Sequence, residues 1–140
     1  MDLQRFWEIW YYPVTLVEQY FDEQEMYIFD IFPLVTLQSI VTALVIAVLF
    51  YNILNNFTDR LGNITGWLIF MVFSGLSGFY FAFSKASELI YLGLEMGSDG
   101  WIFAVTNMVW AMVYYFIWSM ICKFHKISVY GNMVPFKTSW

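Results

Sequence analysis

The stretch Ile31–Thr58, IFPLVTLQSIVTALVIAVLFYNILNNFT, contains no charged side chain over its 28 residues. An α-helix rises about 1.5 Å per residue, so about 20 apolar residues are enough to cross a hydrocarbon core of roughly 30 Å. Two further uncharged runs follow it, Leu61–Ser84 with 24 residues and Gly100–Cys122 with 23 residues. Three such runs in one chain predict an all-α integral membrane protein with three transmembrane helices.

The composition agrees with this fold class. The 140 residues are 61% hydrophobic and only 12% charged, which is about half the charged fraction of a typical soluble domain. The net charge of −5 argues against nucleic acid as a partner, because nucleic-acid binding depends on lysine and arginine side chains that neutralise phosphates. We therefore expect the lipid bilayer to be the main partner and the whole chain, 1–140, to form a single membrane domain.

Charged, proline and polar residues place the ends of the predicted helices. We expect transmembrane helices over 33–54, 64–84 and 101–122. The polar connection after the first helix is short, which predicts an antiparallel hairpin of the first two helices. Residues 86–94 are predicted to form a separate amphipathic surface helix, and 123–140 a basic tail.

Particular residue types support these helix starts. Pro33 suits a first helical turn, where its missing N–H costs nothing. Asn63 or Thr65 can cap the second transmembrane helix with a side-chain oxygen. Asp99 follows a glycine- and serine-containing turn and is predicted to cap the third helix.

Residues 1–20 are predicted to form an amphipathic helix that precedes the spans, with a break or kink near Pro13. Its aromatic residues suit the headgroup layer, where one edge of a ring is apolar and the other wet. The expected interfacial anchors are Phe6, Trp7 and Trp10 in this helix and Trp101 in the third span. We expect the helix to lie in the membrane interface against the other helices; a docking surface for a partner protein is the alternative.

Small side chains recur at every fourth residue in the first two transmembrane helices. This spacing places them on one helix face, where they let the backbone of another helix approach closely. The predicted packing residues are Ser39, Ala43, Ala47, Ser74, Gly75, Gly78 and Ala82. Tight packing is the main interpretation of the SGLSG stretch at 74–78, and a flexible gating hinge is the alternative.

Neutral polar residues within the spans need hydrogen-bond partners, because lipid supplies none. The candidates for intramembrane polar contacts or for pore lining are Gln38, Thr42, Ser77, Thr106 and Asn107. We expect Gln38 to bond another helix or to line a pore, and Asn107 to be buried against the first helix or a neighbouring subunit. A network that joins Gln38, Thr42, Ser77 and Asn107 is a further prediction.

Trp110 is predicted to lie near the middle of the bilayer, about 13 Å along the third helix from Trp101. An indole N–H at that depth needs an acceptor inside the protein, since no water is available there. The sequence does not indicate which residue supplies the acceptor.

The distribution of basic residues predicts the orientation. Arg60, Lys123, Lys126 and Lys137 fall on one side of the three spans, whereas the other side carries Arg5 and Lys85. Cytoplasmic segments carry the excess of lysine and arginine in membrane proteins. We therefore expect a multi-pass protein with its N-terminus outside and its C-terminus in the cytoplasm.

The sequence carries little that could support catalysis. The interiors of the three predicted spans contain no acidic, basic or histidine side chain, and proton relays and ion-coupled pumps generally need one there. The chain has a single histidine and a single cysteine, too few for a multi-cysteine metal site, and no catalytic pair is recognisable. We expect no catalytic residue, no metal and no cofactor, and hence a protein that is not an enzyme.

Two non-enzymatic functions are consistent with these observations. The preferred one is a membrane subunit that anchors or assembles a larger membrane complex through helix–helix packing. The alternative is a homo-oligomeric channel or pore with a neutral polar lumen and an acidic outer vestibule that concentrates cations. The expected protein partners are other membrane subunits or further copies of the chain.

Overall fold

The computed structural model describes residues 2–17, 27–54, 63–91 and 98–125 together with Pro135. Within these residues the chain forms helices and no strand. Residues 18–20 of the predicted N-terminal helix, the connection over 55–62 and, except for Pro135, the tail beyond residue 125 lie outside the described residues.

The N-terminal segment, which we define as residues 2–17, contains two short helices, α1 (Leu3–Trp10) and α2 (Tyr12–Val17). They meet at Tyr11, whose carbonyl accepts a hydrogen bond of 2.9 Å from Val14 N–H. Proline has no N–H with which to continue an α-helical ladder. The helix therefore breaks just before Pro13, where the sequence predicts a break.

The first long helix consists of an α-helical centre, α3 (Phe32–Val48), with a π-helical turn at each end. These turns are Tyr27–Ile31 and Leu49–Leu54. With them the helix begins six residues before its predicted start at residue 33 and ends at its predicted end, residue 54. Pro33 lies in the first turn of α3, as expected for a residue without a backbone donor.

The second long helix, α4 (Ile64–Tyr91), starts at the predicted position. The side-chain Oδ1 of Asn63 accepts a hydrogen bond of 2.9 Å from Gly66 N–H. This bond satisfies one of the backbone donors that have no partner within a first helical turn. The predicted Asn63 cap is thereby confirmed.

The same helix continues past its predicted end at residue 84. The separate surface helix predicted over Ala86–Leu94 is wrong for residues 86–91, which belong to α4. No glycine or proline interrupts this part of the sequence, and an ion pair of 2.8 Å between Lys85 Nζ and Glu88 Oε2 supports continuous helix. Residues 92–94 lie outside the described part of the chain.

The last helix, α5 (Asp99–Phe124), completes a set of three helical stretches that are long and apolar enough to cross a membrane. These stretches are Ile28–Asn52, Ile64–Glu88 and Asp99–Phe124, with 25, 25 and 26 residues. At about 1.5 Å per residue, each is roughly 38 Å long, which exceeds the hydrocarbon thickness of a typical bilayer. The architecture is that of a multi-pass membrane protein.

Helix packing creates two buried clusters. The most extensive helix pair is α4 with α5, and α3 packs across both. The first cluster joins the N-terminal segment to the start of α3, the end of α4 and the start of α5. The second cluster joins the end of the first long helix, the start of α4 and the second half of α5. The N-terminal segment is therefore part of the packed core at one end of the bundle.

Candidate functional site

Asn107, on α5, is fully buried and hydrogen-bonds to three other parts of the chain. Its Nδ2 donates to Ser39 Oγ on α3 at 2.9 Å and to Gly78 O on α4 at 2.8 Å. Its Oδ1 accepts a hydrogen bond of 2.9 Å from the hydroxyl of Tyr11. An amide offers two donors and an acceptor, so this one side chain joins all three long helices and the N-terminal segment.

The hydroxyl of Tyr11 extends this network to a second residue of α3. It lies 2.8 Å from Thr36 Oγ1, and because its own proton goes to Asn107, the Thr36 hydroxyl is the donor. Burial raises the pKa of the Tyr11 phenol, so the phenol remains protonated and able to donate. Its ring stacks on Phe32 at a centroid distance of 4.3 Å and meets Phe103 edge-on at 5.3 Å. We call Tyr11, Thr36, Ser39, Gly78 and Asn107 the central network.

Gly78 allows the close approach of α4 and α5 on which the central network depends. A Cβ at this position would lie 2.5 Å from Ala111 Cβ and 3.1 Å from Asn107 O. One turn earlier, Ser74 Oγ donates to Ala111 O at 3.0 Å. Small residues on α4 thus bring the two backbones into contact, which places the carbonyl of Gly78 within reach of the Asn107 amide.

Two tryptophans bind the N-terminal segment to α5. The rings of Trp10 and Trp110 stack with centroids 3.8 Å apart and an interplanar angle of 7°. Trp110 Nε1 donates to the main-chain carbonyl of Trp10 at 2.9 Å, and Trp10 Nε1 donates to Tyr114 OH at 2.9 Å. The acceptor that the sequence requires for Trp110 is therefore a backbone carbonyl of the N-terminal segment.

This tryptophan pair lies beside the middle of α5. Trp110 is about 16 Å along the axis from Asp99, in a helix about 39 Å long, at about 1.5 Å per residue. Trp10 therefore contacts α5 on both sides of its midpoint, at Trp110 and Tyr114, whereas Tyr11 contacts the half that begins at Asp99. The N-terminal segment does not lie only across the end of the bundle; it reaches to the midpoint of a span.

The four predicted interfacial anchors occupy different environments. Trp7 is buried in the first cluster, and Phe6 is half-buried and stacks on Trp10 at 5.2 Å. Trp101, at the start of α5, is 55% exposed and contacts Phe83 at 5.0 Å. Their depth relative to a membrane surface stays a prediction.

The structure places all seven predicted packing residues at buried positions. These are Ser39, Ala43, Ala47, Ser74, Gly75, Gly78 and Ala82. Gly75 faces a methionine: a Cβ there would lie 2.5 Å from Met112 Cε and 3.0 Å from Met112 Cγ. Ser39 and Gly78 also contribute polar atoms to the central network, a role that their small size does not reveal.

The remaining predicted polar residues lie outside the central network. Ser77 Oγ donates to Phe73 O of its own helix at 2.9 Å. Gln38, Thr42 and Thr106 are half-buried, and the bonds of the Asn107 side chain go to other residues. Asn107 is the only member that the predicted network and the central network share.

The sequence does not predict that Tyr11 bonds Asn107 or that Thr36 bonds Tyr11. Thr36 carries a weak signal, since it lies on the same helix face as Ser39 and Ala43. Tyr11 carries none, because it belongs to a segment whose position against the spans is set only by tertiary packing.

The central network can hold helices together, and its bonds are between neutral groups. Among the described residues, no group of three or more histidine, cysteine, aspartate or glutamate side chains is arranged to hold a metal ion.

We find no protein family, no characterised protein and no solved structure that matches the chain.

Proposed function

We propose that the chain is a non-enzymatic membrane subunit that anchors or assembles a larger membrane complex through helix–helix packing. The observation that carries this proposal is the set of three hydrogen bonds made by Asn107. Through these bonds the Asn107 amide, inside the bundle, holds the chain's own helices together. A bundle held in this way presents fixed outer faces to lipid or to other helices.

The outward face of α4 supports packing against a further helix. Leu68, Val72 and Leu76 are 43%, 47% and 53% exposed, and they lie on the opposite side of α4 from the contact with α5. Together with Thr65, Ile69 and Phe73 they line a shallow groove of about 330 Å³. A transmembrane helix of a partner protein presents apolar side chains that can pack into such an apolar groove.

We further propose that the N-terminus lies outside and the C-terminus in the cytoplasm. The distribution of basic residues supports this orientation. The N-terminal segment packs at the end of the bundle where α5 begins, against the π-helical turn Tyr27–Ile31. In this proposal the amphipathic N-terminal segment starts in the outer interface and extends inward to Trp110.

A homo-oligomeric channel receives less support from this geometry. Asn107 is fully buried within one copy of the chain, so a lumen between copies would need other lining residues. Gln38, Thr42 and Thr106 are half-buried and are the residues left for that role. We therefore retain the assembly subunit as the conclusion.

The test is the composition of the particle that contains the chain. We expect the tagged chain, extracted from its native membrane in mild detergent, to elute with other membrane polypeptides and with a mass well above 16.6 kDa. A photo-crosslinking residue at Val72 should link it to one of these polypeptides. The control is the same residue at Val109, which is 54% exposed on the outward face of α5.

Two results would contradict the assembly role. A monomer that crosslinks only to lipid at Val72 would leave the chain without a complex to assemble. A uniform ring of this polypeptide alone would favour the channel, and ion flux in liposomes that Gln38→Leu abolishes would then establish conduction.

A further inference from the structure

The outward faces of the three helical stretches that can cross a membrane carry one polar side chain in their interiors. Among the described residues, and beyond the first and last turn of each stretch, Tyr80 on α4 is the only exposed side chain that can form a hydrogen bond. It is 67% exposed. Its ring contacts Phe81 at a centroid distance of 6.2 Å, and its hydroxyl has no hydrogen-bond partner in the described part of the chain.

The position of Tyr80 along α4 places it within the hydrocarbon. It lies eight residues before Glu88, the end of the membrane-spanning stretch, which is about 12 Å along the axis. The stretch is about 38 Å long, so about 4 Å at each end extend beyond a hydrocarbon core of roughly 30 Å. A helical side chain leans toward the N-terminus of its helix. The Tyr80 hydroxyl is therefore directed toward the middle of the bilayer and not toward the nearer surface.

A phenol at this depth needs a hydrogen-bond partner that lipid does not supply, and tyrosine hydroxyls removed from water usually have one. The hydroxyls of two serines on α4 are paired inside the chain: Ser74 Oγ donates to Ala111 O, and Ser77 Oγ donates to Phe73 O. A partner for Tyr80 would instead belong to a second molecule that covers the outward face of α4.

Tyr80 continues the apolar groove on the outward face of α4. Leu76 lies one turn before it on the same helix face, and Leu76 and Val72 are among the residues that line the groove. Gly78, by contrast, faces Ala111 on α5 and lies about 160° around the helix from Tyr80. A groove that leads to a hydroxyl favours a transmembrane helix as the covering molecule, since a helix carries both apolar and polar side chains. An acyl chain has no hydrogen-bonding atom at this depth.

We propose that a transmembrane helix of another polypeptide packs along this groove and hydrogen-bonds the Tyr80 hydroxyl through a polar side chain. The proposal rests on the assembly function and identifies the contact by which the subunit recognises its partner. Serine, threonine, asparagine and glutamine are neutral side chains that form such bonds between membrane helices. A helix without one would leave the Tyr80 hydroxyl unpaired, so this bond selects among apolar helices.

A second copy of the chain meets this requirement less well. Beyond their terminal turns, the exposed side chains of α3 and α5, which are described in full, consist only of hydrocarbon. In a pair of α4 helices related by a twofold axis, the same surface of each copy forms the contact, so each Tyr80 faces the Tyr80 of the other copy. Only one of the two hydroxyls can then donate to the other, which leaves one proton without an acceptor.

The test uses the tagged chain in detergent extracts of its native membrane. An azido-substituted tyrosine at position 80 keeps the hydroxyl, and we expect it to crosslink to the same polypeptide as a photo-crosslinking residue at Val72. Tyr80→Phe removes only the hydroxyl. We expect that polypeptide to dissociate from this variant at least about threefold faster when the extract is diluted, because one hydrogen bond between membrane helices is lost.

Two controls isolate the effect of the phenol. Thr65→Val removes a hydroxyl from the same groove with little change in shape, but Thr65 lies in the first turn of α4, near the membrane surface. We therefore expect Thr65→Val to leave the dissociation rate unchanged. Thermal unfolding of Tyr80→Phe without the partner should match that of the unmodified chain, since the described chain offers the hydroxyl no bond to lose.

The proposal is wrong if the polypeptide dissociates from Tyr80→Phe no faster than from the unmodified chain, or if Thr65→Val accelerates dissociation equally. It is also wrong if the residue at position 80 crosslinks only to lipid or to a second copy of the chain. In each of these cases, another membrane polypeptide crosslinked at Val72 would leave the assembly function standing. If no other membrane polypeptide elutes with the chain, this proposal and the assembly function both fail.

Discussion

The indole of Trp10 stacks on the indole of Trp110, 100 residues away in the sequence, with ring centroids 3.8 Å apart and an interplanar angle of 7°. The contact is reinforced by the hydrogen bond from Trp110 Nε1 to Trp10 O. Stacked aromatic pairs stabilise a fold beyond the area that they bury. The N-terminal segment is thereby fixed to the middle of α5, and it belongs to the bundle as much as the long helices do.

A double-mutant cycle should detect this stacking directly. We expect Trp10→Leu and Trp110→Leu each to lower the free energy of unfolding, and the pair to be coupled by about 1 kcal/mol. Unfolding in mixed micelles, followed by circular dichroism, measures the coupling. Trp10→Leu with Trp101→Leu is the control pair, since Trp101 packs on Phe79 and Phe83 instead. Additive effects in both pairs would contradict the prediction.

Asn107 should be the most sensitive polar position in the spans. Hydrogen bonds between membrane helices contribute on average about 0.6 kcal/mol each and at most about 1.7, so the loss of three predicts a cost of about 2 kcal/mol for Asn107→Ala. The same unfolding measurement tests it. The control is Thr106→Ala, at the half-buried neighbouring position, for which we expect less than about 0.5 kcal/mol. Equal costs at the two positions would show that the central network contributes little.

Two glycines of the SGLSG stretch should respond differently to the same substitution. In Gly78→Ala the new Cβ would meet Ala111 Cβ and the Asn107 carbonyl, which cannot move without separating the helices. We expect it to cost about 2 to 3 kcal/mol, as overpacking of a core does.

In Gly75→Ala the new Cβ would meet the side chain of Met112, which is flexible and can adopt another rotamer. Alanine also favours the helix over glycine by up to about 1 kcal/mol, so we expect a change within about 1 kcal/mol of zero. Thermal unfolding of the two variants side by side measures the difference. A hinge at this stretch, rather than tight packing, would make both substitutions nearly neutral.

Cysteine accessibility should reveal the proposed orientation. In a Cys122→Ser background, a membrane-impermeant maleimide should label Asp2→Cys on intact cells and His125→Cys only after permeabilisation. Both positions are exposed and lie near opposite ends of the described chain, and the positive-inside rule assigns His125 to the cytoplasm. The reverse labelling pattern would refute the proposed orientation.

Much of the fold could be predicted because the relevant signals are local. A run without charges, such as Ile31–Thr58, marks a helix by length and composition alone. The Asn63 cap depends on a side chain and a backbone N–H three residues apart. The end of α4 was missed because Lys85 and Glu88 resemble the edge of a span, although a charged pair one turn apart is equally compatible with continuous helix.

Less of the site could be predicted, since its partners lie far apart in the sequence. Asn107 is recognisable as a buried polar residue, because an amide within a span needs partners. Its bonds to Tyr11 and to the carbonyl of Gly78 depend on how the segments pack. No periodic pattern in the sequence indicates that packing. The same holds for Trp110, whose need for an acceptor is evident but whose acceptor is a backbone atom of Trp10.

Hydrocarbon should surround the middle of these helices, and the depth of outward residues on α5 tests this directly. Spin labels at Val105, Val109, Val113 and Ile117 in a Cys122→Ser background, in nanodiscs, report collisions with oxygen and with a water-soluble nickel complex. We predict that oxygen collisions rise and nickel collisions fall toward Val109 and Val113, as expected near the centre of a bilayer. Equal access of the nickel complex to all four positions would contradict the account.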